Sequence, residues 1–85
     1  VVGDTFEDQV ERVFENIKVI AEAAGATLAD VVKLTVFITD WNNFEAMNQI
    51  CIRYFPEPYP ARTPVQMEIP GALFMADAVV ALERD

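Results

Sequence analysis

The chain has 85 residues, enough for one small domain spanning residues 1–85. Its hydrophobic share of 53% is more than one core of this size can hide, which points to self-association. A net charge of −8 with no histidine argues against nucleic acid and anionic membrane surfaces as partners, and the lone Cys51 rules out an intrachain disulfide and a Cys/His zinc site within one chain. Serine is absent, so no serine nucleophile is available. No apolar run approaches the roughly 18 residues of a membrane span, and no basic n-region marks a signal peptide. The expectation is a soluble cytoplasmic protein.

Asp4 or Thr5 can cap a first helix, with Glu7 or Asp8 three residues on in capping-box position. Phe6, Val10, Val13, Ile17, Ile20, Ala21 and Ala24 recur at three- and four-residue steps and predict its buried stripe, with Phe14 as core packing and Gly25 as the stop. Ala26 to Asp30 connects onward, with one helical turn begun by Thr27 as an option. The β-branched run from Val31 to Thr39 predicts a strand. Alternation puts Val32, Leu34, Val36 and Ile38 on one face and Val31, Lys33, Thr35, Phe37 and Thr39 on the other.

Asp40 caps a second predicted helix, Trp41 to Phe55, whose stripe is Phe44, Met47, Cys51, Tyr54 and Phe55, widened by Ile50. Cys51 reads as buried filling, since no histidine or nearby lysine would lower its pKa. Asn48 sits at the stripe's edge and is either a surface amide or one that needs partners. Pro56, Pro58 and Pro60 end the helix. Arg62 to Ile69 alternates as a strand, with Thr63, Val65, Met67 and Ile69 opposite Arg62, Pro64, Gln66 and Glu68; Pro64 predicts an edge or a bulge. Pro70-Gly71 turns the chain into a last strand, Ala72 to Leu82, apolar on both faces. Two helices can cover only one face of such a sheet, so the other is expected to meet another chain.

Arg62 is the only cation between Arg53 and Arg84. A guanidinium at that point is either a solvated residue at a strand start or a fork for a carboxylate or phosphate.

Asp30-Val31-Val32-Lys33-Leu34-Thr35-Val36-Phe37-Ile38-Thr39-Asp40 and Pro60-Ala61-Arg62-Thr63, with Glu22-Ala23-Ala24-Gly25, Phe44-Glu45-Ala46-Met47-Asn48 and Gly71-Ala72-Leu73, resemble the reactive-intermediate deaminase (Rid, YjgF-like) family over nearly the whole chain. The resemblance implies an α+β, chorismate-mutase-like fold in the order α-β-α-β-β, with two helices packed on one face of the sheet. It also implies a homotrimer whose sheets form a central barrel, with ligand clefts between subunits. Its activity would be hydrolysis of reactive 2-imino or enamine acids to 2-keto acids and ammonia, without metal or organic cofactor. The partner would be a small carboxylate-bearing metabolite. The family's carboxylate-binding arginine falls on Arg62 and its cleft asparagine on Asn48, with Thr63, Pro64 and Met75 as further lining.

Three departures stand out. The two strands and Gly-Gln-Ile/Val-Pro loop that usually begin the family have no counterpart in these residues, so the expected cleft lacks one wall. In the last strand the first of two usual glutamates is Met75, and a thioether cannot transfer a proton; Asp77 matches the second and is the remaining candidate acid. A position often held by cysteine is Pro64. Two functions follow: a deaminase using Arg62 and Asp77, or a non-catalytic trimeric relative that holds a small carboxylate.

Overall fold

Thr5 begins the first helix by accepting a hydrogen bond from the Asp8 amide (3.0 Å), and the acidic Glu7 and Asp8 lie in the turn where the helix dipole favours them. The computed structural model describes residues 5–57 and 59–81; the predicted Asp4 cap, Pro58 and the Leu82 end of the last strand lie outside them. Helix α1 runs Phe6–Ala23 and closes through Gly25, whose φ of 82° is available to glycine at little cost. The Ala26 and Gly25 amides then return to the Ala21 and Glu22 carbonyls (2.8 and 3.0 Å), a Schellman closure.

A 3₁₀ turn, Leu28–Asp30, is boxed by Thr27 and Asp30 and leads into strand β1, Val31–Ile38. A second 3₁₀ turn, Trp41–Asn43, precedes helix α2, Phe44–Tyr54. The predicted second helix is therefore two pieces, because Asp40 caps the short turn by accepting from the Asn42 amide (3.0 Å). Strand β2 covers Ala61–Gln66 and strand β3 covers Phe74–Val80, both shorter than the sequence pattern predicts.

The sheet order is β2-β1-β3. β1 pairs with β2 in parallel, which needs a crossover, and α2 supplies it. β1 pairs with β3 antiparallel. β2 is an edge strand in this sheet, so Pro64 removes a donor where its loss is tolerated.

Both helices cover one face of the sheet. Leu34, Val36 and Ile38 of β1 are buried there against Val10 and Phe14 of α1, Met47 and Ile50 of α2, and Phe74 of β3. Phe14 is the hub: its ring meets those of Phe55 (5.2 Å), Tyr54 (5.6 Å) and Phe74 (5.7 Å) in edge-on contacts. Each such pair adds about 0.5–1.5 kcal/mol beyond area burial.

The predicted strand parity fails at one end of β1. A register shift between Val31 and Lys33 buries Val31 and leaves Val32 49% exposed. A bulge inserts one residue and so reverses which neighbour points inward. Ile20 and Ala24 of the predicted helix stripe are exposed, although Ala21 between them is buried.

Gln9 is buried on α1, and its Oε1 accepts from the Leu73 amide (2.8 Å), tying the helix to the start of β3. Across the helix pair, the Tyr54 hydroxyl donates to Glu15 (2.9 Å) and Arg53 pairs with Glu11 (3.2 Å). The other face of the sheet is uncovered within one chain. It carries in-register rows of Ala61, Lys33 and Val79, then Thr63, Thr35 and Asp77, then Val65, Phe37 and Met75. No helix among the described residues is long and apolar enough to cross a membrane.

Candidate functional site

The crossover from β1 through α2 to β2 leaves a cleft of about 270 Å³ between α2 and β2. Its apolar walls are Leu34 of β1, Ile52 of α2, and Phe55, Tyr59 and Pro60 of the proline-rich loop. Three groups of other chemistry open into it: the Asn48 amide, the Cys51 thiol and the Arg62 guanidinium. Helical spacing sets the first two, because residues three apart share one face of α2. Parallel pairing of Arg62 with Leu34 sets the third, turning Arg62 to the helix-covered side of the sheet.

Arg62 is half-buried, and its guanidinium carbon lies over the Phe44 ring, 5.4 Å from the centroid. Trp41 stacks on the same Phe44, with ring centroids 5.0 Å apart and planes 17° off parallel. Among the described residues the one ion pair is Arg53–Glu11, so Arg62 has no carboxylate partner there. Its fork is available to an anion from outside the described chain.

Cys51 is buried, and burial pushes its thiol above the ordinary value of 9.0. The neighbouring Arg62 guanidinium pulls the other way, but less strongly. The sequence offers this thiol no histidine or nearby lysine; β2 brings the Arg62 guanidinium from eleven residues downstream, and burial still wins. Cys51 is a neutral thiol, 4.0 Å from the Met47 sulfur, and lines the cleft as packing.

Of the residues the sequence singles out, the fold brings Arg62 and Asn48 together. Pro64 shares the Arg62 face of β2, one alternation further along, opposite Val36. Thr63, Met75 and Asp77 lie on the uncovered face. A single chain therefore cannot bring Asp77 to its own Arg62, because the sheet stands between them. Trp41 and Phe44 carry no site signal of their own in the sequence. Their three-residue aromatic spacing was visible, but the arginine they support comes from a distant strand. Among the described residues, no cluster of three or more Cys, Asp and Glu side chains is arranged to hold a metal ion.

Residues 1–74 match the family model described as Endoribonuclease L-PSP. A RutC family protein of Pyrococcus abyssi is 48% identical over 67 residues, covering 79% of this chain and 53% of its own length. A protein of Dermatophagoides farinae named 2-iminobutanoate/2-iminopropanoate deaminase is 36% identical over 84 residues, covering 96% of this chain and 66% of its own. The crystal structure of RidA from an Antarctic Psychrobacter superposes with a TM-score of 0.92 at 39% identity, covering 96% of this chain and 68% of that one. The chain thus spans about half the length of the Pyrococcus relative and about two thirds of the other two.

Proposed function

The chain belongs to the Rid (endoribonuclease L-PSP) family, and from that premise we propose that it hydrolyses small 2-imino or enamine acids to 2-keto acids and ammonia, with Arg62 holding the substrate carboxylate. The observation that carries this reading is Arg62 itself. Its guanidinium is held over Phe44 and without a carboxylate partner among the described residues, and it opens into an apolar-walled cleft beside the Asn48 amide. A bidentate fork recognises a carboxylate, and the apolar walls take the remainder of a small aliphatic substrate. The deaminase name of the Dermatophagoides relative supports the reaction class.

The chemistry follows from the substrate. An enamine acid first moves a proton from nitrogen to carbon 3 and becomes the imine; clamping the carboxylate then orients the adjacent C=N carbon toward water, and positioning of this kind supplies much of the rate. Water adds to that carbon, the C–O bond forms, and the π pair moves to nitrogen, which takes up a proton. The carbinolamine then collapses: the C–N bond breaks, ammonia leaves and the keto group forms. A carboxyl group serves to move these protons. Asp77 of a neighbouring copy fills that role in our reading, presented across a homotrimer boundary at the free β2 edge beside which the Arg62 cleft opens. The lone free cysteine fits the reducing cytoplasm.

A second reading has one specific observation behind it. Met75 cannot carry a proton, and Asp77 is on the far side of its own sheet from Arg62. If no other acid reaches the cleft, the chain binds a small carboxylate without turning it over. The two readings separate on freshly generated 2-aminoacrylate. A deaminase accelerates ammonia release and loses the effect in Arg62→Ala; no acceleration over buffer sinks the enzyme reading. A binding module leaves the rate unchanged, yet 2-ketobutyrate raises its Tm in an Arg62-dependent way.

A further inference from the structure

We infer that Phe44, backed by Trp41, is a positioning residue for Arg62: the aromatic pair holds the guanidinium in the orientation in which it meets a carboxylate. The inference rests on the carboxylate reading of the cleft. Arginine carries a long, rotamer-rich side chain, and ordering it during binding subtracts from affinity. A protein can order it beforehand with an acidic partner, but that partner occupies the N–H donors the ligand needs. Arg62 has no acidic partner among the described residues. It has a ring face instead, 5.4 Å from its guanidinium carbon. Attraction between a cation and a ring face uses no lone-pair acceptor, so the fork stays free for an incoming anion.

The ring is itself fixed. Phe44 is the first residue of α2 and packs against the buried core. Trp41, in the 3₁₀ turn before it, stacks on the ring at 5.0 Å. The turn is in turn set by the Asp40 cap. A capped turn, two stacked aromatic rings and one arginine thus form a single chain of support from backbone to guanidinium. Lysine at position 62 would lose the planar fork, and an aliphatic residue at position 44 would lose the ring face.

The test compares Phe44→Leu, which keeps apolar volume without a ring, with Phe44→Tyr, which keeps the ring. Phe44→Leu is expected to weaken 2-ketobutyrate binding by about fivefold, the size of one partly exposed cation–π contact. KM for 2-aminoacrylate should rise with kcat less affected, and Phe44→Tyr should restore wild-type values. Side-chain NMR of the Arg62 Nε–H provides a readout independent of ligand. It should show a ring-current shift in wild type and Phe44→Tyr that collapses in Phe44→Leu. Circular dichroism and Tm show whether each variant is folded, and the NMR comparison stands where affinity cannot be measured. Unchanged affinity in folded Phe44→Leu, or a wild-type Arg62 signal with no ring-current shift, overturns the positioning role. Failure of wild type to bind any 2-keto acid, with the ring-current shift present, overturns the carboxylate reading and with it the purpose assigned to the aromatic pair.

Discussion

Arg62 and Asp77 stand on opposite faces of one three-stranded sheet. Arg62 is in register with Leu34, whose side chain is fully buried under the helices, whereas Asp77 is in register with Thr35 on the uncovered side. If both residues serve one reaction, they come from different copies of the chain. Mixing then becomes informative. Arg62→Ala and Asp77→Asn proteins should each be inactive on 2-aminoacrylate. Co-refolded together, they should regain ammonia release, because some clefts combine an intact arginine with an intact aspartate. Full activity in Asp77→Asn alone would remove Asp77 from the mechanism.

Assembly through the uncovered face can be tested at Phe37. This half-buried ring lies between Val65 and Met75 in an apolar row, with Met75 43% exposed in the single chain. Phe37→Asp puts a charge where a second copy would exclude water, a change costing several kcal/mol for an unpaired buried ion. Light scattering should report an oligomer for wild type and a monomer for Phe37→Asp. A wild-type monomer would refute the assembly.

Gln9 offers a stability test remote from the cleft. Its Oε1 is the acceptor for the Leu73 amide, and Gln9→Leu keeps the approximate volume while leaving that amide without its partner. The loss should be about 1 kcal/mol in urea unfolding, with the slope of the transition unchanged. A variant as stable as wild type would show that water replaces the bond.

Cys51 makes a prediction in pH. Burial raises the thiol above 9.0 in the folded chain, so the folded state keeps its proton where the unfolded state releases it. The stability this difference contributes is fully present below the unfolded pKa and is lost as pH rises from there through the folded value. Unfolding free energy should therefore fall on the alkaline side, and Cys51→Ala should flatten that part of the curve. Iodoacetamide at pH 8 should label Cys51 slowly in the native protein and quickly in urea. Fast native labelling would contradict the buried, neutral thiol.

Much of this fold is legible from local pattern. The steps from Phe6 to Ile17 and the Gly25 stop mark α1, and the β-branched run marks β1. The count of two helices also anticipates a sheet that they cover on one side only. What stayed illegible depends on long-range pairing. Val31 and Val32 exchange places because a bulge lies between them, and neither side chain carries a sign of it. Alternation in β2 separates Arg62 from Thr63, but only pairing with Leu34 tells which of them faces the helices. Gln9 reads as a polar interruption of an apolar stripe until Leu73 arrives from 64 residues away to use it. Asn48 is the site residue that the resemblance assigned and local reasoning left open, since an amide at a stripe's edge looks the same whether or not a cleft forms beside it.

Every backbone ladder in the sheet passes through β1, for β2 and β3 each touch that strand and not each other. Either edge strand can therefore detach and leave a two-stranded ladder, but loss of β1 leaves no sheet at all. Amide hydrogen exchange should find β1 the most protected strand, opening only with global unfolding. The arginine cleft and the uncovered face, on opposite sides of that strand, are both lost when it opens.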